Sequence, residues 1–100
     1  MREEQLLAYL KGACLGRRYR VSGAELEAVL GVSGTDLRKM VNRLRRRGVP
    51  VGSDRQGYFY AATASEVYTT IRQLRQMVTG LEGAIAGLEA ALERFSEDQP

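Results

Sequence analysis

Histidine and tryptophan are absent from this chain of 100 residues, cysteine occurs once and proline twice. Without imidazole no side chain has an ordinary pKa near neutrality, so acid–base catalysis at neutral pH is not expected. The single thiol, Cys14, rules out an internal disulfide, and its place in an apolar helical pattern suits a plain buried residue. No apolar run approaches the ~18–20 residues of a membrane span, and Met1-Arg2-Glu3-Glu4 has no hydrophobic signal core behind it. A soluble, cytoplasmic protein is therefore expected. A phosphate loop, a dinucleotide glycine fingerprint, a serine elbow and metal-ligand spacing are also missing, so we expect no enzyme, no cofactor and no metal.

What is present is unevenly distributed. Residues 1–60 hold twelve Lys/Arg against six Asp/Glu, a balance of +6, while residues 61–100 hold three against six, a balance of −3. A basic head suits a polyanion, and an acidic tail does not compete for the same phosphates. One hundred residues support a single small core plus an appendage.

The most informative stretch runs from Ser33 to Arg47. Leu37, Met40, Val41 and Leu44 recur at i, i+3, i+4 and i+7, one face of a helix, so Arg38, Lys39, Asn42, Arg43, Arg45 and Arg46 should point outward. Ser33 is a good N-cap, Asp36 lies near the positive end of the helix dipole, and Arg45-Arg46-Arg47 lie at the negative end. Gly48 stops this helix and Pro50 prevents its resumption. Terminal cations on a solvated helix are common, so the arginines alone do not establish nucleic-acid binding.

The flanking sequence adds to them. Leu6, Leu7, Leu10 and Cys14 share one face of a first helix over residues 2–15. Arg17-Arg18-Tyr19-Arg20-Val21 reads as an extended link able to form one edge strand, its arginines either reaching phosphates or, the preferred reading, simply solvated. Ser22-Gly23-Ala24-Glu25 is a capping box for a second helix that should bury Leu26, Val29 and Leu30. Only Gly31 and Val32 separate its end from the Ser33 cap, a helix-turn-helix signature.

After Gly48 the pattern becomes extended. Val49-Pro50-Val51-Gly52-Ser53 and Tyr58-Phe59-Tyr60-Ala61 flank the polar stretch Asp54-Arg55-Gln56-Gly57, as in a β-hairpin. A hairpin directly after a recognition helix is the wing of a winged helix, and Pro50 fits an edge or first-strand position. Tyr58 and Tyr60 are expected to seal the wing onto the helices rather than to stack on bases, and the direction of Phe59 is open.

The run Gly31-Val32-Ser33 through Leu44-Arg45-Arg46-Arg47-Gly48-Val49, followed by Gly57-Tyr58-Phe59-Tyr60, resembles the winged helix-turn-helix domain at the N-terminus of biotin-repressor-type regulators. Those domains share a Gly-Val-Ser corner, a Leu-Arg near the end of the recognition helix and a Gly-Tyr-x-Leu wing strand. The resemblance covers about residues 3–61, departs from the pattern at Tyr60 and implies a fold rather than a target sequence. Biotin chemistry is not carried over. Small winged-helix proteins of this kind also occur among phage and mobile-element regulators.

A second signal follows the capping box Thr63-Ala64-Ser65-Glu66. Val67, Ile71, Leu74, Val78, Leu81, Ile85, Leu88, Leu92 and Phe95 alternate spacings of four and three, an unbroken coiled-coil register. Ile71, Val78, Ile85 and Leu92 occupy a, and Val67, Leu74, Leu81, Leu88 and Phe95 occupy d, a choice that favours a parallel two-stranded coil. Gly80, Gly83 and Gly87 lie off the seam and, with neighbouring alanines, leave room for a four-helix assembly.

The expected fold is α+β, mainly α: a winged helix-turn-helix head over residues 1–62, a coiled-coil oligomerisation helix over 63–96 and a disordered tail at 97–100. The expected activity is sequence-specific binding of double-stranded DNA as a homodimer, possessed by a transcription regulator or a phage or mobile-element protein. Ser33, Thr35, Arg38, Lys39, Asn42, Arg43 and Arg46 on the helix, with Ser53, Arg55 and Gln56 on the wing, are the expected DNA contacts. Arginine and lysine suit guanine, asparagine suits adenine, and hydroxyls near the helix start suit phosphates. The rival reading is a protein-interaction module that uses the winged fold as scaffold and the coil to recruit a partner. RNA is a weaker alternative, because a groove-inserting helix does not fit the narrow major groove of A-form RNA.

Overall fold

The computed structural model describes residues 2–96, and the backbone alone of Ser96. The expected tail at 97–100 lies outside the described residues. Four helices and one hairpin follow in the order α1 (Arg2–Ala13), a single 3-10 turn at Arg17–Tyr19, α2 (Gly23–Leu30), α3 (Gly34–Arg46), β1 (Val51–Asp54), β2 (Gly57–Tyr60) and α4 (Ala64–Ser96). The molecule is thus mainly helical, with one small antiparallel sheet and a long C-terminal helix.

Two units divide the chain, Met1–Thr70 and Ile71–Pro100. In the first, α1 ends at Ala13, earlier than its apolar pattern suggested, yet Cys14 still donates its N–H to Leu10 O at 3.0 Å and is buried. Burial also pushes the Cys14 thiol pKa up. The core gathers Leu6 and Leu10 of α1, Leu26 of α2, Leu37, Met40, Val41 and Leu44 of α3, and Val51 and Phe59 of the hairpin. Leu6, Leu10, Leu26 and Leu44 are fully excluded from solvent, each such burial contributing about 1.5–3 kcal/mol. Val29 departs from expectation. It is 53% exposed, because a helix of eight residues spends its core-facing turn on Leu26 and half-buries Leu30, which leaves Val29 past the edge of the buried stripe.

Both caps around the corner form as expected. Ser22 Oγ accepts from Glu25 N and Ser33 Oγ from Asp36 N, each at 3.1 Å. Between the two helices Gly31 adopts φ 65°, ψ 42°, a left-handed conformation that side chains with a Cβ resist.

The hairpin is tighter than its sequence suggested: Asp54 pairs with Gly57, so the turn proper is Arg55-Gln56. Two strands alone are marginal in water, and here β2 is bonded on its other edge as well. Val21 and Tyr58 exchange backbone hydrogen bonds at 2.8 and 2.9 Å, Tyr60 N donates to Cys14 O, and Gly16 N donates to Tyr60 O, both at 2.8 Å. The link before α2 is therefore a 3-10 turn with a single bridging residue at Val21, not a strand. Phe59 points into the core, and Tyr58 and Tyr60 pack half-buried against it. Gly52 is required opposite Phe59, since a Cβ there would collide with the aromatic ring.

The start of α4 belongs to the head. Thr63 Oγ1 accepts from Glu66 N at 3.2 Å, Val67 packs against the core, and Thr70, a residue 5% exposed, accepts through its Oγ1 from Ser53 N at 3.3 Å. Val67 is thus engaged by its own chain rather than displayed for a partner. The second unit, taken by itself, is the remainder of α4, whose apolar residues Val78, Leu81, Ile85, Leu88, Leu92 and Phe95 are all exposed.

Candidate nucleic-acid interface

The amphipathicity of α3 produces two unlike surfaces. While Leu37, Met40, Val41 and Leu44 face the core, Thr35, Arg38, Lys39, Asn42, Arg43 and Arg46 line one shallow depression on the outside. Ser33 caps the same helix through its Oγ, and Arg38 Nη2 donates to Thr35 Oγ1 at 3.3 Å. Six of the seven expected α3 contacts thus share one surface.

They are not electrostatically alike. Arg43 Nε lies 2.6 Å from Glu3 Oε1, and Arg47 Nη1 lies 2.9 Å from both Glu3 Oε2 and Glu4 Oε1. Hydrogen bonds from Arg43 and then Arg47 hold the Glu3 carboxyl below its ordinary pKa, and Glu4 and Glu3 raise that of Arg47. Arg43 therefore stands already paired. Among the described residues, no carboxylate lies within ion-pair distance of Arg38, Lys39 or Arg46.

Arg45 corrects the expectation that every cation of α3 faces out. Its Nε donates to Val51 O at 2.9 Å and its Nη2 to Ser53 Oγ at 3.0 Å, so it is half-buried and ties α3 to β1. Burial lowers its pKa. Ser53, expected at the wing surface, is consequently half-buried between Arg45 and Thr70, with its Oγ accepting and its N–H donating. Arg55 and Gln56, by contrast, are exposed at the turn.

The residue that shapes the turn is Asp54, which the sequence reading passed over. Its Oδ1 accepts from Gln56 N at 2.8 Å and Gly57 N at 3.1 Å, and its Oδ2 accepts from Arg17 Nε at 3.0 Å, with Arg20 Nε 3.4 Å away. Burial alone would raise the Asp54 pKa, but the Gln56 N–H, Arg17, Arg20 and the Gly57 N–H outweigh it and hold it below the ordinary value. Arg17 and Arg20 are thus engaged by Asp54 rather than merely solvated. An aspartate opening a tight turn was a readable signal for half of this arrangement; the arginines, more than thirty positions upstream, were not.

Of the expected seam, Val67 is committed to the head and Leu74 is half-buried, whereas Leu81 and Leu88 keep 65% and 71% of their surface exposed. Ile85, Leu88, Leu92 and Phe95 line a shallow apolar groove along α4. Among the described residues no group of three or more His, Cys, Asp or Glu is placed to hold a metal ion, and no helix is long and apolar enough to cross a membrane. Comparison of the chain with protein-family models, curated proteins and solved structures gives no match.

Proposed function

We propose that the chain is a winged helix-turn-helix protein of the kind found at the N-terminus of biotin-repressor-type regulators, which binds duplex DNA sequence-specifically as a homodimer joined through α4. In this reading α2 and α3 are the helix-turn-helix, β1 and β2 the wing, and the role is that of a cytoplasmic transcription regulator or a phage or mobile-element protein, without catalysis or cofactor. The observation that carries it is the outer face of α3: Arg38, Lys39, Asn42 and Arg46 are exposed, the three cations have no carboxylate partner among the described residues, and the opposite face of the same helix is fully buried. Such a face offers guanidinium and ammonium groups for guanine, an amide for adenine, and a rigid mount for both. Arg55 at the wing tip serves phosphate or the minor groove.

Selection of bound duplexes from a random pool, followed by titration of the selected site, tests this. Arg38→Ala or Asn42→Ala should weaken that site by ~1–3 kcal/mol with the melting temperature unchanged. Arg55→Ala should weaken all duplexes alike and make the salt slope shallower by about one. A pool that yields no enriched sequence, with affinity indifferent to Arg38 and Asn42, overturns the proposal. The exposed apolar face of α4 favours the second reading, an assembly module, which would then stand in its place.

A further inference from the structure

The apolar face of α4 in the second unit has an occupant and a direction. We infer that residues 71–95 of two copies pair antiparallel, centred at the level of Gly83. This rests on the homodimer part of the function proposed above and deepens it.

The centre follows from the head. Because Val67 packs on its own core, the seam left for a partner runs from Ile71 through the half-buried Leu74 to Phe95, and its midpoint is residue 83. Reversal about that point sets Ile71 against the partner's Phe95 at each end and Leu81 against the partner's Ile85 in the middle. The two layers between are filled in the same way, so no seam residue lacks an apolar counterpart. The overlap of 25 residues spans ~37 Å at 1.5 Å per residue.

The direction follows from the flanks. The alternation of β-branched residues at a with leucine at d, from which a parallel pair is expected, bears first on the number of strands, whereas the positions bordering the seam set orientation and here oppose that expectation. One border of this seam carries Arg75, Glu82 and Glu89, and the other carries Met77, Ala84 and Ala91. In a parallel pair each border meets the opposite border of its partner, so Ala84 lies beside a glutamate and no cation meets a carboxylate. In an antiparallel pair like borders meet. Arg75 then faces the partner's Glu89 twice by symmetry, while on the other border Met77 faces the partner's Ala91 and Ala84 its own copy, where the alanines allow close approach. The like-charge meeting of Glu82 with its copy opposes this once, against two favourable pairs. Among the described residues Arg75, Glu82 and Glu89 form no ion pair within the chain.

Disulfide trapping in the full chain tests the direction, with Cys14 left in place because it is buried. Val78→Cys and Leu88→Cys are prepared separately, since those positions lie ~15 Å apart along one helix. Oxidation of a mixture should yield a disulfide dimer containing one of each variant, and neither variant alone should crosslink. Crosslinking of each variant with itself would overturn the antiparallel pairing while leaving the homodimer standing. A sedimentation result of monomer at micromolar concentration would overturn both. As a second measurement that leaves the seam intact, Arg75→Glu should weaken association roughly fivefold and Glu89→Arg in the same chain should restore it. Failure of the double exchange to recover the parent affinity would also overturn the pairing.

Discussion

Leu44 and Leu88 both sit on regular apolar stripes of well-formed helices, yet the first is fully excluded from solvent and the second keeps 71% of its surface exposed. The stripe of α3 meets α1, α2 and β1 within the same chain, whereas that of the second unit is exposed at Val78, Leu81, Ile85, Leu88, Leu92 and Phe95. Periodicity therefore tells that a helix has an apolar face, and only the surrounding elements tell what covers it. The contrast also assigns different consequences to similar substitutions.

The largest effect expected is on Leu44→Ala, which should cost the head ~2–5 kcal/mol in denaturant unfolding, whereas Leu88→Ala should leave the head's transition in place and alter only association. An equal loss of head stability from Leu88→Ala would erase the distinction between the two units. Glycines sharpen it next. Gly52→Ala forces a methyl group into the Phe59 ring and should destabilise by ~1–3 kcal/mol. Gly80→Ala meets no atom within 4 Å, and circular dichroism on heating should show α4 stabilised by up to ~1 kcal/mol.

A finer comparison lies within α3 itself. Arg45→Leu removes the donor to Val51 O and Ser53 Oγ and should cost ~1–3 kcal/mol of stability. Arg46→Leu, one residue on, should change stability by no more than about 0.5 kcal/mol while weakening DNA binding. If Arg46→Leu destabilised the head as much as its neighbour, the division of α3 into an anchoring and a displayed cation would fall.

The smallest effect concerns acid. Glu3 and Asp54 have pKa values lowered from ordinary values of 4.5 and 3.8, so folding favours their charged forms. Their stabilisation is complete above those ordinary values and is lost as the pH falls through the lower folded ones. The head's melting temperature should thus decline below about pH 4.5, and the decline should be shallower in Glu3→Gln and in Asp54→Asn. A melting profile of Asp54→Asn identical in shape to the parent's would remove Asp54 from this role.

Much of the fold was legible because its signals are local. Ser22, Ser33 and Thr63 cap helices three residues from their partners, and the α3 stripe repeats within three turns. What escaped was long-range or lay at a boundary. Arg43 pairs with Glu3 across 40 positions and Arg17 with Asp54 across 37, separations for which a sequence pattern carries no information. Arg45 borders the buried stripe, where its fate depends on whether a hairpin arrives beside it, and Val29 borders that of α2. Val67 kept perfect heptad spacing and still turned to its own core, because the head reaches one turn further along α4 than the capping box suggested.

That reach bears on how α4 is nucleated. Starting a helix requires several residues to be fixed before the first hydrogen bond repays them, with a nucleation constant of ~10⁻³, whereas each later residue adds at little expense. The first turns of α4 are set by the head: Glu66 accepts from Ala62 N at 2.8 Å and Arg17 N at 3.1 Å, Thr63 caps, and Thr70 bonds to the hairpin. The folded head is a template on which the glycine-bearing remainder need only propagate. A peptide cut at residue 71 must supply that nucleus alone and should be far less helical in isolation than the same residues are in the whole chain.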